Sequence, residues 1–184
     1  TAASGEKKVL KVAMECAYAP YNWTQPDDSN GAVPINDSNE YAYGYDVMMA
    51  KKICDELGYD LQIVRLDWDS LIPAVSTGQV DCVQSITTER LQAVDFTEPY
   101  YYATIVTLVK NGSKYADAKS VADLAGATCT SQQSTIWYDT CLPQIQDANI
   151  LAATASAPDM LMSLNADKCD LVVTDQPTGK GALV

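Results

Sequence analysis

Histidine is absent from the 184 residues, and that absence removes more reaction classes than any residue present adds. Without it there is no Ser-His-Asp or Cys-His relay, no histidine-ligated zinc and no imidazole pH switch. Positive charge is scarce too. Twelve lysines and arginines stand against 24 aspartates and glutamates, a net charge of −12. A nucleic-acid backbone or an anionic lipid surface needs clustered basic residues, so neither is an expected partner. No run approaches the ~20 apolar residues of a membrane-spanning helix. Six cysteines are present, Cys16, Cys54, Cys82, Cys129, Cys141 and Cys169, but none forms Cys-x-x-Cys. A zinc ribbon or thioredoxin-like centre is therefore not indicated, and no cofactor is implied.

What remains is an ordinary globular composition, 47% hydrophobic and 20% charged. A chain of this length buries roughly 70% of its unfolded surface, enough for one domain or two small lobes without staples. If it divides near Asn111, three cysteines fall on each side. An odd number per lobe favours reduced, packed thiols over a disulfide framework, and most of them adjoin apolar runs. The polar start, Thr1 to Lys8, reads as a spacer left after a signal peptide.

Val9 to Met14 reads as a buried strand. An aromatic loop, Ala17 to Trp23, follows, then a polar, turn-rich stretch over 24–43. Asp46 to Leu57 has helical spacing, with Val47, Ala50, Ile53, Cys54 and Leu57 on one face and Gly58 as its stop. Leu61 to Leu66 reads as a strand, Ser70 to Ser76 as a short helix and Val80 to Val83 as another strand. The alternation predicts an α/β fold with mostly parallel sheets flanked by helices. Lobe 1 is expected over 1–106, a crossover strand over 104–110 and lobe 2 over 111–184. Asp27-Asp28-Ser29-Asn30-Gly31 has part of a calcium-loop pattern without its closing acid and reads as a solvated turn. Tyr100-Tyr101-Tyr102 reads as packing beside the crossover.

An internal echo links the halves. Val75 to Ser85 lines up with Leu164 to Thr174, so that Asp81 matches Asp170. In both copies an apolar helix ends in a polar turn, and x-Asp opens a short apolar strand. In open α/β sheets ligands gather at the carboxyl ends of strands. Ser85 in one half and Thr174-Asp175 in the other occupy such ends.

The ordered set Ala19-Pro20-Tyr21, Gly44-Tyr45-Asp46, Trp68 to Ala74, Thr87-Thr88-Glu89-Arg90, Asp95 to Tyr100 and Asp170 to Asp175 resembles the polar amino-acid family of extracytoplasmic solute-binding proteins. These serve ABC importers, and the likeness runs from about Val9 to the end. The resemblance implies a two-lobed periplasmic-binding-protein-like fold that closes on its ligand. It implies that Arg90 holds the ligand α-carboxylate in a two-point ion pair, helped by Thr87 and by backbone N–H groups near Ser85, Ser134 and Thr135. Asp175 would take the α-ammonium, Tyr18 and Trp68 would wall the side-chain pocket, and Glu15, Gln132 and Thr174 would read its polar end. The implied partners are a free amino acid, polar or cationic given Glu15, and an ABC permease. The implied protein is a monomer in the periplasm or lipid-anchored outside the cell membrane.

Two departures accompany the likeness. The segment from Val83 to Thr87 is about three residues shorter than the family's, and the second lobe with its return to the first is incomplete, so the chain reads as a fragment or an unusual variant. Plainer roles exist for the same side chains. Arg90 pairs equally well with Glu89 or Asp95, Asp175 suits a helix cap, and Trp68 and Tyr18 suit a core. Two other functions stay open, a sensory ectodomain and a dehydratase using Glu15 or Asp175 as acid.

Overall fold

Val9–Met14 forms β1 at the centre of a three-stranded sheet, flanked in parallel by Asp60–Arg65 (β6) and Cys82–Val83 (β7) in the order β6-β1-β7. The computed structural model describes residues 7–84 and 93–183. Val12, Ala13 and Met14 are all buried, as a central parallel strand covered on both faces requires. Successive side chains serve opposite faces. Val12 and Met14 pack with Ile63, Val47 and Ala50, while Ala13 packs with Trp68, Leu71, Ala74 and Val80.

The aromatic loop and the turn-rich stretch after it carry four short strands between their turns. Ala17–Tyr18 (β2), Asn22–Gln25 (β3), Val33–Pro34 (β4) and Tyr41–Tyr43 (β5) make an antiparallel sheet in the order β2-β3-β5-β4. These strands are two to four residues long and pair across distant turns, such as Trp23 with Tyr43. Strands that short carry no readable alternation, so the residues alone do not reveal them. Asp27 Oδ1 accepts the Ser29 N–H at 3.0 Å, a side-chain turn at the surface.

Tyr45–Leu57 is the expected helix, α1. It ends at Gly58, whose φ of 68° is left-handed, with the Tyr59 N–H returning to the Cys54 carbonyl at 2.9 Å. Its buried face is Asp46, Val47, Ala50 and Cys54. Ile53 and Leu57, expected on that face, are exposed at the stripe's edge and in the last turn. Leu71–Ser76 (α2) then leads into β7.

The second sheet has the order β10-β9-β11-β8. Its members are Ile105–Val109 (β8), Thr128–Thr130 (β9), Asn149–Ile150 (β10) and Leu171–Asp175 (β11). The first of these, the strand expected over 104–110, lies at the edge of this sheet, antiparallel to β11. All five residues of β11 are buried. Ala157–Asn165 (α3) starts on Ser156, whose hydroxyl accepts the Asp159 N–H, and Gln176–Gly181 (α4) starts on Asp175. The chain divides into two compact units, Thr1–Asp95 and Phe96–Val184. Tyr102, expected as packing, is 82% exposed.

The echo holds bond by bond. Thr77, Gly78 and Gln79 N–H groups donate to the carbonyls of Pro73, Val75 and Ala74; Ala166, Asp167 and Lys168 donate to Met162, Leu164 and Ser163. The middle residue is left-handed both times, Gly78 at φ 73° and Asp167 at 57°. Both helices thus end in one way, with glycine in one copy and the aspartate that tolerates this region in the other.

Candidate functional site

In the first unit the carboxyl ends of β1 and β7 lie side by side, because Val12 pairs with Cys82 and Ala13 with Val83. Glu15 follows β1 and is half-buried, and Gln84 follows β7 and is buried. Gln84 Oε1 has no hydrogen-bond partner among the described residues. Tyr18 is half-buried and stacks on Tyr21, with centroids 5.0 Å apart and planes 22° from parallel. Trp68 is buried against Ala13, Leu71 and Ala74.

The loop that carries Glu15 and Tyr18 is tied down at several points. Cys16 is buried and has φ 55°, a left-handed value that a side chain with Cβ adopts at a cost. Its N–H donates to Asn22 Oδ1 at 2.8 Å, and its carbonyl accepts from Thr24 Oγ1 at 2.9 Å. Asn22 Nδ2 donates in turn to Asp46 Oδ2 at 2.8 Å. The Tyr45 and Asp46 N–H groups, at the start of α1, donate to the Pro20 and Tyr21 carbonyls. Gly44 lets these segments meet, since a Cβ there would lie 2.3 Å from the Tyr21 carbonyl oxygen. The loop also contains the cis peptide Ala19-Pro20.

In the second unit a band of buried polar side chains lines the same edge of the sheet: Thr130, Ser131, Gln132, Thr135, Thr174 and Asp175. Parallel pairing of β9 with β11 places the two strand ends next to each other, and Ser131 Oγ donates to the Val173 carbonyl at 2.7 Å. Ser134 is left-handed at φ 56°. Thr135 behaves as a helix cap. Its hydroxyl accepts the Tyr138 N–H at 3.3 Å and donates to the Gln132 carbonyl at 2.7 Å, and its own carbonyl accepts the Asp139 N–H. The following turn, Trp137–Cys141, is π-helical, a form often found at functional sites. Asp175 Oδ1 accepts the Thr178 N–H at 2.9 Å, and Thr174 Oγ1 lies 3.5 Å from Asp175 Oδ2.

The structure therefore brings Gln132, Ser134, Thr135, Thr174 and Asp175 to one edge of the second unit, and Glu15 and Tyr18 to one loop of the first. Trp68 sits in a core cluster. Ser85, Thr87 and Arg90 lie outside the described residues. Sequence reasoning passed over Asn22, Asp46 and Gln84. Asp46 had a signal, an acid in the first turn of a helix; Gln84 had one too, a polar residue directly after a buried strand.

All six cysteines are free thiols. Burial pushes Cys16 from 9.0 up to about 12, against the opposing influence of Arg65. Burial likewise raises Cys82 and Cys129 to about 11. Among the described residues no group of three cysteines or acids is placed to hold a metal ion, and no helix is long and apolar enough to cross a membrane.

The sequence profile of the bacterial extracellular solute-binding proteins, family 3, matches residues 10–166. A probable histidine-binding protein of Campylobacter jejuni is 29% identical over 177 residues, covering 95% of this chain and 62% of the relative. An L-arginine-binding protein of Pseudomonas aeruginosa is 27% identical over 172 residues, covering 91% of this chain and 61% of the relative. The chain thus spans less than two thirds of the length of these relatives. An amino-acid ABC transporter substrate-binding protein from Streptococcus pneumoniae, solved with L-arginine, superposes with TM-score 0.78 at 28% identity, covering 95% of this chain and 70% of that one.

Proposed function

This chain belongs to the bacterial extracellular solute-binding proteins of family 3, and on that premise we propose that it binds a free, polar or cationic α-amino acid and delivers it to an ABC importer. The observation that carries the reading is the band of buried polar groups at the edge of the second sheet, ending in Asp175. Hydrogen bonds within the unit, such as Ser131 to Val173 and Thr178 to Asp175, hold these groups in place. At the carboxyl end of a parallel strand they are placed where α/β folds collect ligands. Asp175 takes the α-ammonium there, with Thr174 and Gln132 beside it, and the Ser134-Thr135 turn offers backbone N–H groups to the carboxylate.

The other half of the reading rests on residues of the first unit. Arg90 takes the carboxylate through its planar fork, with Ser85 and Thr87 assisting. Glu15 meets the cationic or amide end of the ligand side chain, and Tyr18 and Trp68 flank its apolar stem. Relatives named for histidine and arginine support that choice of ligand class. The protein acts as a monomeric receptor, not an enzyme, outside the cell membrane in the periplasm or on a lipid anchor.

Isothermal titration with the twenty amino acids tests this. Binding of L-arginine, L-histidine or L-glutamine is expected, weakened at least about 100-fold in Arg90→Ala, as loss of a charge-assisted pair with the ligand implies. No binding by any of the twenty, or undiminished binding in Arg90→Ala, refutes it.

A further inference from the structure

We infer that Asn22 and Asp46 are positioning residues that set side-chain selectivity by fixing the loop from Glu15 to Tyr18. This rests on the reading of Glu15 and Tyr18 as ligand contacts. The backbone must turn sharply after β1, and it does so at Cys16, with φ 55°. That conformation is unfavourable for cysteine and persists only where neighbours hold it. The holding contacts are the Asn22 amide on the Cys16 N–H and the Thr24 hydroxyl on the Cys16 carbonyl. Cys16 is the residue directly after Glu15, so whatever fixes its peptide sets where the Glu15 carboxylate begins.

Asn22 is fixed in one orientation by chemistry. Its Oδ1 faces a donor, the Cys16 N–H, and its Nδ2 faces an acceptor, Asp46 Oδ2, so a flipped amide would oppose both. Asn22 and Asp46 are each 1% exposed, so both bonds are shielded from water. Asp46 lies in the first turn of α1, where the helix favours a negative charge. Through Asp46 the loop is referenced to a 13-residue helix packed on the first sheet. The bonds from Tyr45 and Asp46 to Pro20 and Tyr21 hold its other end to the same helix.

A site reads charge well only if its contacting group is held within about 0.5 Å by the packing behind it. Loosening Cys16 therefore weakens the charge-dependent part of binding and leaves the backbone grip on the ligand intact. The selectivity for L-arginine over L-glutamine reports this, whereas a general loss of stability lowers both affinities together.

The test uses the full chain with L-arginine and L-glutamine as probes, in Asn22→Ala, Asp46→Leu and Asp46→Asn, with thermal melting alongside. Asn22→Ala and Asp46→Leu are expected to cut the arginine-to-glutamine ratio by about 10-fold, as a misplaced shell implies. Asp46→Asn, which still offers an oxygen to Asn22 Nδ2, is expected to keep the ratio within about 3-fold. If Asn22→Ala does not fold, Thr24→Val, which removes only the bond on the Cys16 carbonyl, is expected to shift the ratio by about 3-fold. Folded variants with an unchanged ratio, or with both affinities falling in parallel, overturn the inference while the amino-acid-binding reading stands. A wild-type chain that binds neither probe nor any other amino acid overturns both.

Discussion

Asp81 and Asp170, 89 residues apart in the chain, make the same two hydrogen bonds in two different sheets. Asp81 Oδ2 accepts the Lys11 N–H at 2.8 Å, and the Asp81 N–H donates to the Lys11 carbonyl at 3.0 Å. Asp170 does both with Thr128, at 2.9 and 2.7 Å. Each aspartate locks the strand it opens onto the strand beside it, and so fixes the register that delivers the next polar residues to the carboxyl edge of the sheet. The x-Asp motif common to both halves is thus a structural clamp.

The two clamps differ in burial, and that sets their expected worth. Asp170 is half-buried and Asp81 exposed. Asp170→Ala is expected to cost about 2 kcal/mol and Asp81→Ala about 1 or less, because water substitutes more readily at the exposed site. Urea unfolding, with amide exchange at Thr128 and Lys11, measures both. A costlier Asp81→Ala would contradict the assignment.

Asp175 is both the cap of α4 and the proposed ammonium partner, and one substitution separates the roles. Asparagine caps a helix about as well as aspartate, so Asp175→Asn is expected to leave the melting temperature within a few degrees. It removes the charge, so affinity for L-arginine is expected to fall at least about 10-fold. Unchanged affinity would leave Asp175 as a cap only.

Gly44→Ala is expected to destabilise by more than about 2 kcal/mol, since φ is +130° and the new Cβ would meet the Tyr21 carbonyl oxygen. Gln84→Met is expected to act the other way. It removes a buried oxygen with no partner among the described residues and stabilises by about 1 kcal/mol. A destabilised Gln84→Met would show that the oxygen is engaged.

The thiols predict a response to alkali. Cys16, Cys82 and Cys129 are raised in the folded chain from 9.0 to about 12, 11 and 11, so the folded state holds their protons more tightly than the unfolded state. Their stabilisation is full below about pH 9 and is lost as pH rises through 11 to 12. Denaturant titrations between pH 8 and 11 should show falling stability. Cys16, Cys54, Cys129 and Cys169, all buried, should react with a thiol reagent at pH 8 only on unfolding.

The long-period elements were legible in the residues. Val9 to Met14, the α1 helix with its Gly58 stop, and the repeat that matches Asp81 with Asp170 carry their signals within a few neighbours. The small antiparallel sheet was not legible, because Trp23 and Tyr43 find each other across a distant turn and its strands are too short to show alternation. Ile53 and Leu57 fit a helical stripe on paper, yet which part of the stripe is covered depends on where the helix meets its sheet.

By itself the sequence determined the chemistry on offer: no imidazole, few cations, and an ordered set of short motifs ending in Asp175. Tertiary structure alone decided which of those groups share an edge and what holds them there. Ser131 reaches Val173 and Asn22 reaches Asp46 only once strands and helix have packed. A hydrogen bond between residues 24 or 42 positions apart leaves no trace in local spacing, and its partners are chosen by the fold.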